Sequence, residues 1–435
     1  GLLIIFINQI KNVIKINLRI IMADTLQSLA ILGATGSIGD STLAIIRQHP
    51  NRYRIHALTG FSRVDKLLAL AMEFHPVKIC TSPDNYAQLS QKVTDAGLDT
   101  IILSGDEGLI EIASDEAVDT VVAAIVGAAG LSSTLAAAGA GKRILLANKE
   151  SLVMAGDLVI KTAKKHGATI LPIDSEHNAI YQCLPAAIQA DNTAIHHTSY
   201  GIKKLWLTAS GGSFLDKSIK QMQNASVKEA VNHPNWSMGQ KISIDSATMM
   251  NKGLELIEAC HLFDLKEHQI QVVIHPNSVV HSLVEYVDGS FLAQLGTPDM
   301  KTPIAHALAY PERIKSGVMP LDLYQLGSLK FLAPDLDKFA CLKLARYAAR
   351  LGTGACIALN TANEIAVEAF LAEKICLTDI AVIVKACLDD KTIAQDYSQD
   401  FGDEVLGLER ILTMDKKVRK IATAKIKLLK QGDVL

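Results

Sequence analysis

Residues 33–39, G-A-T-G-S-I-G, constrain the fold of this chain more than any other stretch. The preceding residues 26–32 read as a buried strand, and apolar positions at helical spacing follow to about Gln48. A strand that turns on glycines into a helix opens a dinucleotide-binding unit. Glycines at 33, 36 and 39 let the main chain approach a pyrophosphate, which the free N–H groups at the helix start then bind. A tight turn in some other α/β domain is the plainer alternative. Such an opening implies a parallel sheet built from further repeats, and they follow. Strands are expected over 53–58, 77–81, 100–104, 118–126, 143–147 and 169–173, with helices between them.

The end of the second strand decides which dinucleotide fits. An NAD site carries Asp or Glu there, about 20 residues beyond the glycines, to bind the ribose hydroxyls. This chain has A-L-T-G-F-S-R, with no acid. Ser62 and Arg63 offer instead a hydroxyl and a planar fork of donors for a 2′-phosphate. NADP is therefore favoured over NAD, and a plain surface cation is the rival reading of Arg63.

Ligands of open parallel sheets bind at the C-terminal ends of the strands. N-K-E-S, residues 148–151, stands at one such end. Asn148 and Glu150 are candidates for the nicotinamide side and Lys149 for a substrate oxygen, with helix capping as the bland alternative. D-S-E-H-N, residues 174–178, stands at the next. Asp174 and Glu176 repel unless a cation lies between them, and an all-oxygen pair suits Mg²⁺ or Mn²⁺ better than Zn²⁺. Two acids favoured by a helix dipole would look the same. His177 is expected behind the ligands or on substrate rather than on the metal.

Beyond a strand at 204–208, the segment A-S-G-G-S-F suits an anion-binding loop through Ser210, Gly211 and Gly212. H-P-N-W-S-M-G, residues 233–239, puts Trp236 in a loop bounded by Pro and Gly, as expected of a lid or of a core Trp under a surface loop. Residues 244–255, I-D-S-A-T-M-M-N-K-G-L-E, read as a loop running into a helix. Asn251 and Glu255 then share a face at i and i+4, while Ser246 and Lys252 lie near the helix start as a phosphate grip.

An antiparallel set is expected at 272–275, 279–287 and 291–295, with a hairpin turn at Asp288-Gly289 and a free edge suited to a dimer face. Residues 310–337, with three prolines, read as a linker, and about four helical segments follow from Phe339. With 49% hydrophobic and 20% charged residues the chain is a globular enzyme in composition, and its net charge of -2 gives no pull toward nucleic acid or an acidic membrane. Seven scattered cysteines without a C-x-x-C pair imply a reducing, cytoplasmic setting. The first 21 residues are apolar but interrupted, too broken for a membrane span and without the order of a signal peptide. They read as an extension ahead of Met22 with no role in the fold.

Taken in order, G-A-T-G-S-I-G, A-A-I-V-G-A-A-G-L, L-L-A-N-K-E-S, L-P-I-D-S-E-H-N-A-I, A-S-G-G-S-F, H-P-N-W-S-M-G, I-D-S-A-T-M-M-N-K-G-L-E, I-H-P-N-S-V-V-H-S and L-G-T-P-D-M-K-T-P-I-A-H resemble the motifs of the 1-deoxy-D-xylulose 5-phosphate reductoisomerase family. The resemblance runs from about Leu29 to the end. It implies an α/β fold in three parts: a Rossmann-like NADPH domain (22–173), an α+β catalytic and dimerisation domain with a lid (174–309), and, after the linker 310–337, a helical domain (338–435). It also implies that Thr35, Gly36, Ser37 and Ile38 form the pyrophosphate turn, and that Asn148, Glu150 and Gly239 contact NADPH. Asp174, Glu176 and Glu255 become the metal ligands, for Mg²⁺ or Mn²⁺ with Co²⁺ a further option. Lys149, Ser175, Glu176, Ser210, His233, Ser246, Asn251, Lys252 and Glu255 become the substrate contacts. Among these, Lys149, Asp174, Glu176, His233 and Glu255 carry the catalysis, and Trp236 matches the lid.

Two departures from the family pattern stand out. Gly60-Phe61-Ser62-Arg63 replaces a usual A-G-[KR]-N, leaving Gly60, Ser62 and Arg63 as the candidate contacts to the cofactor's ribose phosphate. Ser213 replaces a usual Pro, which predicts a looser loop. The reaction implied is rearrangement of a small keto-sugar phosphate and its reduction by NADPH to 2-C-methyl-D-erythritol 4-phosphate, in a homodimer independent of membrane and nucleic acid. Two rivals are a simple NADP-dependent sugar or polyol phosphate dehydrogenase and a Rossmann-type nucleotide sensor without turnover.

Overall fold

The computed structural model describes residues 26–190, 197–236, 238–403 and 405–431. The expected extension over 1–21 and the start at Met22 lie outside the described residues. The N-terminal region is a seven-stranded parallel sheet of β1 (Gln27–Leu32), β2 (Tyr53–Thr59), β3 (Lys78–Thr81), β4 (Ile101–Ser104), β5 (Thr120–Ala123), β6 (Arg143–Leu146) and β7 (Thr169–Pro172). The strands lie in the order β4-β3-β2-β1-β5-β6-β7. Its helices are α1 (Ser37–Gln48), α2 (Val64–Phe74), α3 (Tyr86–Asp95), α4 (Gly105–Ser114), α5 (Leu131–Gly139) and α6 (Lys149–His166). Leu29 to Leu32 of β1 are wholly buried, and α1 covers them with Leu43, Ile45 and Ile46. The strand order reverses between β1 and β5, which makes the crevice at their C-terminal ends the place for a ligand. Gly33 lies there with φ +85°, and a Cβ on it would sit 2.7 Å from the carbonyl oxygen of Ala124. No other residue fits that crossing.

β5 is shorter than the expected 118–126. The last bond to β1 is from Ala124 N–H to the Leu32 carbonyl, and beyond it the carbonyls of Ile125 and Gly127 accept hydrogen bonds from the Asn148 side chain instead. After β7 the chain enters α7 (Ser175–Cys183) and then a four-stranded sheet of β8 (Ile202–Ala209), β9 (Ile270–Ile274), β10 (Val280–Tyr286) and β11 (Phe291–Leu295), ordered β11-β10-β8-β9. The expected antiparallel pairing holds for β10 with β11 and is corrected for β9. β10 runs antiparallel to β8 and β11, but β9 runs parallel to β8. The reason is the long helical crossover between β8 and β9, which returns the chain to the same end of the sheet.

That crossover corrects a second expectation. Residues 244–255 are not a loop running into one helix but the junction of two: α8 (Gln240–Ala247) and α9 (Met250–Leu262). The break between them holds Met249 at φ +59°, a left-handed conformation that a residue with a Cβ adopts at a cost and that clusters at functional sites. α10 (Lys301–Ala309) follows β11, and the C-terminal part is α11 (Ala340–Leu351), α12 (Thr353–Leu371), α13 (Asp379–Leu388) and α14 (Gly407–Gln431), with a single extra turn at Lys391–Ala394. Among the described residues, no helix is long and apolar enough to cross a membrane.

Candidate active site

Three carboxylates from two distant parts of the chain meet beside the end of β7. Asp174 caps α7, accepting from the backbone N–H of Glu176 at 3.2 Å, and Glu255 projects from the second turn of α9. One oxygen from each of Asp174, Glu176 and Glu255 lies within 4.8 Å of the others. The helix-cap reading of Asp174 is therefore correct as far as it goes, and does not conflict with a ligand role. An all-oxygen set of three acids fits a hard divalent cation. His177 lies wholly buried behind them, its Nε2 2.8 Å from the carbonyl of Glu255 and its Nδ1 3.3 Å from Asp174 Oδ1. This rules out the substrate-contact reading of His177 and leaves it the place behind the ligands.

Two lysines share these carboxylates. Lys149 Nζ lies 2.9 Å from Asp174 Oδ2, 2.8 Å from Asn251 Oδ1 and 3.2 Å from Glu255 Oε1. Lys252 Nζ lies 2.8 Å from Glu176 Oε1 and also pairs with Glu255 Oε2. Asn251 Nδ2 donates to Glu255 Oε1 at 2.6 Å, as expected of an i, i+4 pair, and Ser175 Oγ donates to Glu176 Oε2 at 2.5 Å. The electrostatics are uneven. Burial would raise Asp174, but Lys149 and His177 outweigh it and hold this acid well below the usual carboxylate range. Glu255 is pushed up by burial and by the charges of Asp174 and Glu176. Burial would lower both lysines, yet the surrounding acids hold them above their ordinary range.

A second group adjoins this one. Ser210 Oγ lies 2.8 Å from His233 Nε2, and His233 Nδ1 accepts from the backbone N–H groups of Asn235 and Trp236 at 3.1 and 3.0 Å. With Nδ1 fixed as acceptor, the neutral ring carries its proton on Nε2 and donates to Ser210. Burial lowers the His233 pKa, opposed by the charge of Glu176, which favours that neutral form. Gly212 brings this loop onto α8: a Cβ there would lie 2.4 Å from the Ser246 carbonyl oxygen. Ser213 stands where a looser loop is expected. Its hydroxyl donates to the carbonyl of Asn232 at 3.0 Å, a bond that the proline of the family pattern lacks. Trp236 is half-buried, its ring 6.4 Å from that of His281.

The candidate cofactor contacts line the other side of the same strand ends. Gly36 caps α1 with no side-chain hydrogen bond, so the N–H groups of Ser37 and Ile38 open the helix. Arg63 Nη1 donates to the Thr35 carbonyl at 2.9 Å, beside the buried Gly60 and the exposed Ser62. Asn148 caps α6, accepting from Ser151 N at 2.7 Å, while its amide nitrogen holds the loop after β5. Glu150 is buried and ion-paired with Lys241 at 2.7 Å. Gly239 is the exposed cap of α8, two residues before that lysine.

The 1-deoxy-D-xylulose 5-phosphate reductoisomerase family model matches residues 29–156, its C-terminal domain model residues 170–263, and the DXP reductoisomerase C-terminal domain model residues 295–421. The chain belongs to this reductoisomerase family. It is 62% identical over 398 residues to the 1-deoxy-D-xylulose 5-phosphate reductoisomerase of Psychrobacter arcticus, covering 91% of this chain and 99% of that one. It is similar to a solved DOX-P reductoisomerase in complex with fosmidomycin and magnesium, at 98% identity and a TM-score of 0.91 over 94% of this chain and 100% of that chain. The reductoisomerase of Zymomonas mobilis in complex with NADPH superposes with a TM-score of 0.81 at 42% identity, over 92% of this chain and 99% of that chain.

Three residues of this reductoisomerase site are not apparent from the motifs alone. Lys66 Nζ reaches the Thr35 carbonyl at 3.0 Å alongside Arg63, and helical spacing of three from Arg63 was the available signal. Glu258 lies one turn beyond Glu255 with its side chain buried against His177, 3.3 Å from Nδ1 but not aligned for a hydrogen bond. Burial pushes its pKa up to about 7. Lys241 bridges Glu150 and Asp245; spacing of four to Asp245 was its one local signal, and the pairing with Glu150 comes from the fold.

Proposed function

We propose that this chain catalyses the NADPH- and divalent-metal-dependent rearrangement and reduction of 1-deoxy-D-xylulose 5-phosphate to 2-C-methyl-D-erythritol 4-phosphate, a step toward isoprenoid precursors. The observation that carries this reading is the meeting of Asp174, Glu176 and Glu255 with Lys149 and Lys252 beside the strand ends of a dinucleotide-type sheet. Bound there, Mg²⁺, Mn²⁺ or Co²⁺ supplies Lewis acidity toward a substrate carbonyl, and NADPH supplies the hydride. Asp174, Glu176 and Glu255 would hold the cation. Lys149 and Ser175 orient the substrate's oxygens. Ser210, His233, Ser246, Asn251 and Lys252 grip the phosphate, with His233 as a neutral Nε2–H donor. Fixing the remote phosphate orients the reacting end, and the segment bearing Trp236 shields it from water. Thr35, Gly36, Ser37, Ile38, Gly60, Ser62, Arg63, Asn148, Glu150 and Gly239 form the cofactor side. Residues 22–173 serve as the NADPH unit, 174–309 as the catalytic unit, 310–337 as a linker and 338–435 as a helical unit.

Incubating the purified protein with the keto-sugar phosphate, NADPH and Mn²⁺, and identifying the product by NMR, tests this. A reduced but unrearranged product would select the plain dehydrogenase. NADPH binding without turnover would select the nucleotide sensor.

The cofactor side leads to a prediction. Arg63 and Lys66 converge on Thr35 with no acid at the end of β2, so NADPH is preferred over NADH. Arg63→Ala should raise the KM for NADPH about tenfold, the scale of one lost charge-assisted hydrogen bond, and leave that for NADH nearly unchanged. Equal KM values for the two cofactors in the parent protein would sink the assignment.

The seven cysteines are free thiols, which supports a reducing, cytoplasmic setting. A homodimer is supported by β11, an edge strand whose Phe291, Leu292 and Leu295 are 48%, 51% and 39% exposed. An apolar edge of this kind is a template for pairing with a second copy. Leu292→Lys is therefore expected to yield monomers in light scattering after size exclusion. An unchanged dimer mass would place the interface elsewhere.

A further inference from the structure

α8 links the two halves of the site through one side chain that neither half contains. Lys241 stands in the first turn of α8, where the helix dipole disfavours a cation. Its ammonium turns inward, 2.7 Å from Glu150 Oε1 on α6 and 2.9 Å from Asp245 Oδ2 one turn further along α8. Both acids are buried, Glu150 4% exposed and Asp245 1%. Burial alone would push Lys241 down, but Asp245 and Glu150 outweigh it and keep the ammonium charged. The other oxygen of Asp245 accepts a 2.7 Å hydrogen bond from Asn363 Nδ2 on α12. α8 is thus clamped between α6 and α12 by a chain of charged hydrogen bonds, which are stronger and more directional than neutral ones.

The ends of this chain matter. Glu150 follows Lys149, whose ammonium lies on the carboxylate cluster, and belongs to the cofactor side. Asp245 precedes Ser246, whose carbonyl packs on Gly212 of the phosphate-side loop. We propose that Lys241 is a positioning residue for the reaction, fixing the distance between the reductant's seat at Glu150 and the substrate's seat at Ser246. It acts only through those neighbours. A surface lysine would tolerate solvent and a variable geometry, whereas this one is held by two buried acids, one on α6 and one on α8. The inference rests on the NADPH reading given above.

The test uses the full-length protein and the variants Lys241→Met, Lys241→Arg and Asp245→Asn. NADPH affinity is read by fluorescence titration, fosmidomycin affinity by calorimetry, and kcat at saturating substrate and cofactor. Lys241→Met should lower kcat on the order of 100-fold, since misplacing reacting groups by about 1 Å costs that much. Lys241→Arg keeps both ion pairs and should recover kcat to within about tenfold of the parent. Asp245→Asn loosens only the α8 arm, so NADPH affinity should stay within about twofold while kcat falls about tenfold. Should Lys241→Met fail to fold, the Arg and Asn variants decide by the same criteria. A Lys241→Met protein with a lowered Tm but a kcat within about threefold of the parent makes Lys241 merely structural and overturns the proposal. So does a kcat loss that Arg does not restore. A parent protein that binds no NADPH in the titration overturns the NADPH reading itself, and is distinguishable from those results because they require normal parent binding.

Discussion

Glu255→Gln is expected to lower turnover at least about 100-fold at modest Mn²⁺ or Mg²⁺, with partial recovery as the metal concentration is raised; losses of outer-shell metal partners alone cost 10–100-fold. The side chain is buried and faces Asp174, Glu176, Lys149 and Lys252 at once. An amide keeps its size and one accepting oxygen but removes one of three negative charges from the candidate metal cluster. Weaker hold on the cation, rather than collapse of the pocket, is the consequence. The fold should tolerate the change, because the retained amide oxygen can still accept from Asn251 Nδ2 or Lys149 Nζ. Chelation of the parent protein should abolish turnover while NADPH still binds at the turn after β1, which shares no residue with the carboxylate cluster. Activity measured against metal concentration, with Tm measured alongside, checks this. An unshifted metal dependence in the variant, or steady turnover of the parent in excess EDTA, would remove the metal from the reaction.

The parts of this site that the sequence made legible are those that sit on one element. G-A-T-G-S-I-G announces a strand, a turn and a helix because glycine is demanded where β1 crosses the loop after β5, and Gly33 does adopt that positive φ. The Asn251–Glu255 pair follows from helical spacing alone. What the sequence did not disclose is longer-range. Nothing local distinguishes a capping role of Asp174 from a ligand role, since one carboxylate suits either. The family resemblance joined Glu255 to Asp174 and Glu176; the residue pattern by itself did not. What the loop reading of 244–249 missed is α8 itself, which runs to Ala247 before the chain breaks at Met249. On the N-terminal side of the break, α8 is tied to Glu150 through Lys241 and to Asn363 through Asp245, partners that lie far away in the sequence. The parallel pairing of β9 was likewise invisible, because strand direction is set by the length and path of the crossover, not by the residues of the strand.

Lys252→Met should have two separable effects. Lys252 is 4% exposed, and its ammonium bridges Glu176 and Glu255. Methionine fills a similar volume without charge, so the buried Glu255 and the half-buried Glu176 are left facing each other. Removing one partner of a buried ion pair typically costs about 3–5 kcal/mol of stability. The Tm measured in chelator should therefore fall by several degrees. Added Mn²⁺ or Mg²⁺ should restore most of it, because a ligand that binds only the folded state adds back stability as its concentration exceeds its Kd. Catalysis should not recover in step. If Lys252 also grips the substrate phosphate, kcat/KM falls by about 2–3 kcal/mol, the scale of a lost charge-assisted hydrogen bond, even at saturating metal. The deficit should shrink for a substrate analogue lacking the phosphate. An equal deficit for both substrates would restrict Lys252 to balancing the carboxylates. A Tm in chelator unchanged from the parent's would instead deny it that balancing role, since the charges it separates could not then have been strained by its loss.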